Sequence, residues 1–306
     1  MGALYKCQTN YQCSESLINL IISSGILYYF IMKAKIMFEK NNGILLLIDQ
    51  TLCGLGIIQM VLQVIYFMFA KSYIWLISLR CIGLVLELLI CIILISVILD
   101  KEKHEQLFNA GRLGLCLIGL FWLYQGINGD QKSVYFIVEK QKISNLLMSF
   151  IGLILSIVAF VFGFQCVHQL HQYKEYLLDN KNDSFAHQIL KLETRLTQIK
   201  ILKISGLLQY GVQFSWDSLA YFLSSTTIEC THFFLPISIL TVLIYSLLKI
   251  ISLATVPVAI FLVCYECNKE YYGSNNHIWN FSRSHRSLKV LQDHTQLNYI
   301  EIPEIK

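Results

Sequence analysis

Seven long apolar runs dominate this chain, and they constrain its fold more than any other feature. They lie near residues 17–37, 44–69, 73–99, 110–127, 146–170, 204–224 and 233–265. A helix needs roughly 20 mostly apolar residues to cross a bilayer. In lipid, every backbone N–H and C=O must be satisfied within the segment or by a closed barrel. The runs lack the short alternating segments of a barrel. The expected fold is therefore all-α: a polytopic bundle of seven transmembrane helices over residues 1–270, then a cytosolic tail over 271–306. The fourth run is the weakest and reaches spanning length only if Ala110 and Gly111 extend it. Composition agrees with a lipid environment. Of the 306 residues 14% are charged, against about 25% in a soluble domain. Aromatic residues at 13% and only three prolines exclude a disordered chain. A net charge of +4 leaves no nucleic-acid footprint. The bilayer is the first partner expected.

Lys and Arg set the orientation. Of the 24, only Lys6, Lys71, Lys132, Lys140 and Lys142 fall in outer segments if the N-terminus is outside, and Arg80 and Lys249 fall in spans. The rest are inside, so the chain reads as N-out, C-in. Removing the weak fourth span would move the two most basic segments outside. The first sixteen residues are polar and no cleavage site follows the first run, so that run reads as a span, not a signal peptide. The sequons Asn182-Asp183-Ser184 and Asn280-Phe281-Ser282 fall on the cytosolic side; sugar on either would invert the topology.

The cysteines sort by compartment. Cys53, Cys81, Cys91, Cys116 and Cys166 lie in spans and read as packing residues. Cys7, Cys13 and Cys230 are outside, where disulfides persist. A bridge from Cys7 or Cys13 to Cys230 would tie the N-terminal arm over the bundle; a local Cys7–Cys13 loop competes with it. Cys264 and Cys267, where the seventh span leaves the membrane, are candidates for S-palmitoylation. A zinc site with His277 and His285 fits no standard spacing, so no metal and no cofactor are expected.

Ionisable groups inside spans are costly unless paired or wetted, and so are candidate functional residues. They are Asp49, Arg80, Glu87, Asp217 and Lys249. Depth along each helix pairs Arg80 with Asp217 and Glu87 with Lys249; Asp49 lies near the inner face. Such pairs are either structural locks or a switch that a ligand or proton releases. Tyr210, Phe214, Trp216 and Asp217 form a candidate ligand pocket on the sixth span. Lys249 with Glu87, beside Trp216, Tyr210, Phe214 and Tyr221, also has the parts of a retinal site, a remote alternative.

Between spans five and six, residues 184–203 carry Phe185, Ile189, Leu192, Leu196 and Ile199 at steps of four and three. This a/d stripe predicts a helical extension into the cytosol, with Asp183 or Ser184 as its N-cap. The stripe either packs on the extension of the fifth helix or forms a face for a cytosolic partner or a homodimer. The expectation adopted is the partner face. The sequence contains no nucleophile elbow, phosphate loop or HExxH motif, so no enzyme is expected.

Seven spans, N-out and C-in, with a basic helical extension between spans five and six, resemble the G-protein-coupled-receptor plan. The hallmarks differ. The third span ends in Leu99-Asp100-Lys101, without an acid-Arg-aromatic triplet. Val256-Pro257-Val258-Ala259-Ile260 lacks the Asn and Tyr expected around the proline. Cys81 lies well inside the third span rather than at its outer tip. Two stretches, Phe162–Ile204 and Leu247–Cys264 with Pro257, are similar to the tobamovirus-multiplication family of seven-span proteins. That resemblance implies a non-enzymatic protein of the plasma membrane, endomembrane or vacuole that recruits cytosolic partners. A small transporter or an ion or proton channel using the buried charges is the alternative.

Overall fold

A computed structural model describes residues 10–39, 47–68, 73–98, 101–128, 139–179, 186–224 and 238–265. Nearly all of these are helical: α1 (Asn10–Glu39), α2 (Leu47–Met68), α3 (Tyr73–Ile98), α4 (Lys101–Asn128), α5 (Glu139–Asp179), α6 (Ala186–Ser224) and α7 (Ile239–Cys264). Among the described residues there is no strand. α7 starts later than its apolar run because Ser238 caps it. The Ser238 hydroxyl accepts from the Thr241 N–H, and the Thr241 hydroxyl accepts from the Ser238 N–H at 2.9 Å. This reciprocal pair satisfies two of the donors that any helix start leaves open.

The helices form a ring around α3. α1 packs on α2 and α7, α2 on α3 and α7, α5 on α6, and α6 on α7. α3 touches α2, α4, α5, α6 and α7. α4 lies outside, against α3, with only 6% of its span buried, whereas α3 and α7 bury 50% of theirs. Two bonds hold it: the Trp122 indole N–H donates to Ser78 Oγ at 2.9 Å, and the Gln125 amide donates to Ser144 Oγ at 2.8 Å. The weakest run is thus a continuous helix at the periphery.

The bundle is inverted relative to a soluble protein. Tyr28, Leu117, Ile127 and Phe164 are exposed, while Asn19, Ser23, Gln59 and Gln63 are buried. This is the distribution expected when the surrounding solvent is lipid. Six of the seven helices are long and apolar enough to cross a membrane, and α6 is not among them. The seven helices expected from the sequence are all present, and α6 differs only in being less apolar along its span than the other six. α6 is polar on the side it buries, with Gln209, Gln213 and Asp217, and apolar on the side it exposes, with Ile204, Leu208, Leu219 and Phe222.

The interior is also divided by depth. Its inner half is one apolar cluster, including Phe30, Met37, Leu52, Ile90, Leu94 and Ile260. Phe30 and Phe261 stack at 4.2 Å, and Phe261 and Tyr265 at 5.6 Å. Cys264 belongs to this cluster and is 3% exposed. A thiol sealed there cannot reach an acyltransferase, so the palmitoylation candidate at Cys264 is withdrawn. Cys267 lies outside the described residues, as does the tail.

Cys13, near the start of α1, is disulfide-bonded. Its candidate partners Cys7 and Cys230 lie outside the described residues. Disulfides persist in oxidising compartments, and the Lys and Arg distribution likewise expects the start of α1 on the outer side. Epitope tags at the two ends should therefore differ on sealed cells: N-terminal tag accessible, C-terminal tag protected. Equal accessibility would overturn this topology.

Candidate functional site: a buried polar network

Lipid-spanning helices bury polar groups only where other polar groups meet them. Here those groups gather in the outer half and at mid-depth of the bundle. α1 contributes Glu15, Asn19 and Ser23; α2 contributes Gln59 and Gln63; α3 contributes Arg80 and Glu87; α6 contributes Gln209, Gln213 and Asp217. Within each helix the spacings are four or seven, so each set shares one face.

Arg80 and Asp217 meet as depth predicts. Arg80 Nη1 and Nη2 donate to the two Asp217 carboxylate oxygens at 2.6 and 2.9 Å, and Nη1 also donates to the Asn145 carbonyl at 3.1 Å. The fork ties α3 to α6 and to the start of α5. Both side chains are buried, at 9% and 7% exposed.

Glu87 and Lys249 do not meet. Lys249 pairs with Glu15 of α1. The physical reason is the early start of α1, at Asn10. The polar N-terminal segment enters the bundle as helix, and Glu15 reaches the face of α7 before α3 can. Glu87 instead lies 1% exposed against Gly206 of α6. A Cβ at Gly206 would stand 2.3 Å from Glu87 Oε1, so only glycine admits the carboxyl there. Among the described residues no donor meets either oxygen of Glu87 in good hydrogen-bond geometry. Ser156 faces it from α5, with its hydroxyl donating to the Gly152 carbonyl at 2.8 Å.

This difference is measurable. Glu15→Gln and Lys249→Met should each lower the unfolding temperature, with the double variant recovering part of the loss. Glu87→Gln and Lys249→Met should simply add, as independent sites do. Additivity for the first pair would overturn the Glu15–Lys249 partnership.

The proposed pocket residues do not converge. The Tyr210 ring fills a notch on α5 where Gly152 has no side chain, its carbons 2.1 and 2.2 Å from where a Cβ would sit. Phe214 packs on Phe150 at 5.8 Å, and Trp216 on Tyr245 at 5.3 Å. Asp217 is held by Arg80. Each points to a different neighbour, and with Lys249 taken by Glu15 the retinal arrangement is not formed. Tyr221 lies against Phe222. Gly152→Ala should displace the Tyr210 ring and cost about 1–3 kcal/mol, as overpacking of a tight core does. Thermal unfolding of the variant checks this, and an unchanged midpoint would sink it.

The cytosolic stripe is corrected as well. Leu192 and Leu196 are buried at 9% and 8% exposed, and Ile199 packs on the inner apolar cluster. Lys174 of α5 pairs with Glu193 of α6 at 2.5 Å, and the Gln198 amide donates to the Val263 carbonyl of α7 at 3.1 Å. The stripe is therefore an internal seam with the extension of α5 and the end of α7. The chain itself covers these leucines, so they cannot form the expected partner or dimer face. The side chains of Phe185 and Ile189, and that of Asp49, lie outside the described residues.

Sequence reasoning missed the two glutamines at Pro257. A proline inside a helix removes the N–H that would bond the carbonyl four residues earlier. That carbonyl belongs to Leu253, and Gln59 Nε2 donates to it at 2.8 Å. The Val256 N–H, next to the break, donates to Gln209 Oε1 at 2.8 Å. α2 and α6 thus both close the gap in α7, and Gly56 of α2 lies beside Pro257. The available signal was Gln59 and Gln63, and Gln209 and Gln213, four apart in otherwise apolar stretches.

Compared with known proteins, the chain matches no family model, no curated protein and no solved structure. The likeness to the tobamovirus-multiplication family rests on the two sequence stretches alone.

Proposed function

We propose that this integral membrane protein is a non-enzymatic, receptor-like or scaffold protein that passes a change at its outer side to cytosolic partners. The observation that supports this reading is the division of the interior. Most buried polar groups and two ion pairs lie in the outer half and at mid-depth, while an apolar cluster with the Phe30–Phe261 stack closes the inner half, where Gln198 and Lys203 are buried at its edge. A carrier needs polar lining toward both faces. A receptor needs polar contacts outside and a closed inner end. The Arg80–Asp217 fork is the natural release point, because it joins α6 to α3 and lies on the same helix as the cytosolic extension. The output surface is the exposed side of the α5–α6 hairpin together with the segment after α7, not the leucine seam. The host membrane is a plasma membrane or an endomembrane such as the vacuolar one.

The test uses the full chain in lipid nanodiscs with spin labels at the exposed positions Gln172 and Thr197. Asp217→Asn should shift or broaden the distance distribution between the two extensions, as release of α6 requires. An unchanged distribution in a folded variant would make the pair purely structural and end the switch reading. Proton or ion flux in sealed proteoliposomes would favour the transporter or channel alternative instead.

A further inference from the structure

Beside the inner end of α5 lies a buried lysine of α6 for which the described residues provide no counter-charge. Ile143 to Phe164 is about 32 Å of helix at ~1.5 Å per residue, one hydrocarbon thickness. The residues that follow, Gln165, His168 and Gln169, therefore stand at the level of the inner headgroups. With Phe164 they line an open groove of about 370 Å³. Phe160, Phe164 and His168 are four apart and share one face of the helix. Lys203 of α6 lies along that face. Its stem passes over Gly163, 3.2 Å from where a Cβ would sit, and its ammonium stands 5.0 Å from the Phe160 ring centre and 5.2 Å from that of Phe164.

Lys203 is 9% exposed, and among the described residues no carboxylate lies within ion-pair distance of it. The acids further along the same two extensions, Glu193 and Glu175, stand against Lys174 and His171. Ring faces attract a cation but do not neutralise it, and a buried charge calls for a counter-charge. The residues that line the groove, Phe164, Gln165, His168 and Gln169, supply donors but no anion, and Lys203 lies beside Phe164 without lining the groove itself. The inner leaflet is the anionic one, and a lysine ammonium is a common phosphate ligand.

We infer that this groove seats the phosphate headgroup of an anionic phospholipid from the inner leaflet, with Lys203 as its counter-charge and His168, Gln165 and Gln169 around it. The acyl chains run up the exposed apolar face of α5 past Phe164 and Val161. Seated there, the lipid braces α5 and α6 at the level where their extensions leave the membrane.

The experiment uses the full chain purified in neutral detergent. Binding is followed by native mass spectrometry and by the thermal unfolding midpoint. The probes are phosphatidylglycerol, phosphatidylcholine and inorganic phosphate. Phosphatidylglycerol should bind about fivefold more tightly than phosphatidylcholine, the weight of one cation against an anionic headgroup, and should raise the midpoint. Inorganic phosphate should do neither. Lys203→Met, which keeps the stem over Gly163, should abolish the preference and leave the midpoint in phosphatidylcholine unchanged, whereas Lys203→Arg should keep the preference. If Lys203→Met fails to fold, His168→Glu decides: this exposed position puts a carboxylate in the groove and should reduce the preference with no loss of fold. Equal binding of the two lipids, a preference that survives these changes, or full stabilisation by inorganic phosphate alone would overturn the inference.

Discussion

Asp217→Ala should remove most of the folded protein from the membrane fraction and lower the unfolding temperature of what remains. The carboxylate accepts two short bonds from Arg80 at a site where both side chains are over nine-tenths buried. Its loss leaves a guanidinium in the bundle with only the Asn145 carbonyl among the bonds described above. Removing one member of a buried pair typically costs about 3–5 kcal/mol. That is a large part of a total stability of roughly 5–15 kcal/mol. The double change Arg80→Met with Asp217→Leu should recover most of the loss, because that site then buries no charge. Thermal unfolding of the four proteins supplies the cycle. Two single losses that add in the double variant would show that the fork is not what joins α3 to α6.

Changing Leu192 and Leu196 together to Glu should destabilise the whole protein rather than detach a partner. Both are buried in the seam that joins the extension of α6 to α5 and to the end of α7. Among the described residues the cation of α5 in this seam, Lys174, already serves Glu193. Loss of a buried leucine alone costs about 2–5 kcal/mol, and the added charge adds desolvation to that. The expected readout is a lower unfolding temperature and a reduced level at the membrane. The control Leu192→Met with Leu196→Met should be close to wild type, because volume-conserving swaps cost under about 1.5 kcal/mol. A stable Glu variant that loses a cytosolic partner would restore the partner-face reading.

The helices were legible because lipid allows so few alternatives. Once a run is long and apolar, the backbone has to be helical. Side-chain pairing was legible only where depth decided it. Arg80 and Asp217 lie at one level on α3 and α6, which pack together, so depth sufficed. It failed for Lys249, because the partner came from a polar segment that hydropathy leaves outside the bilayer. Glu15 becomes part of the bundle only through the three-dimensional fact that α1 starts at Asn10. The notches at Gly152 and Gly206 were equally hidden. Nothing local marks a glycine as the place where a tyrosine ring or a carboxyl from another helix will rest. The stripe on α6 was visible as a stripe, but spacing cannot tell a seam within the chain from a face for another chain. That distinction is made by whether α5 runs alongside, and it does, as far as Asp179.

The gap at Pro257 has a consequence for what this chain can become. Restoring the missing N–H with Pro257→Ala would offer the Leu253 carbonyl a donor in its own helix, and the Gln59 amide would then compete for it. Any straightening of α7 would also return the Val256 N–H to its own helix and strip Gln209 of its bond. Two amides would be left buried without partners, each at a cost of about 1–3 kcal/mol. The proline that should weaken one helix is the attachment point of two others. Positions 59, 209 and 257 are therefore linked as substitutions: a lineage could exchange all three for apolar residues and a continuous helix, but each single step passes through a less stable protein.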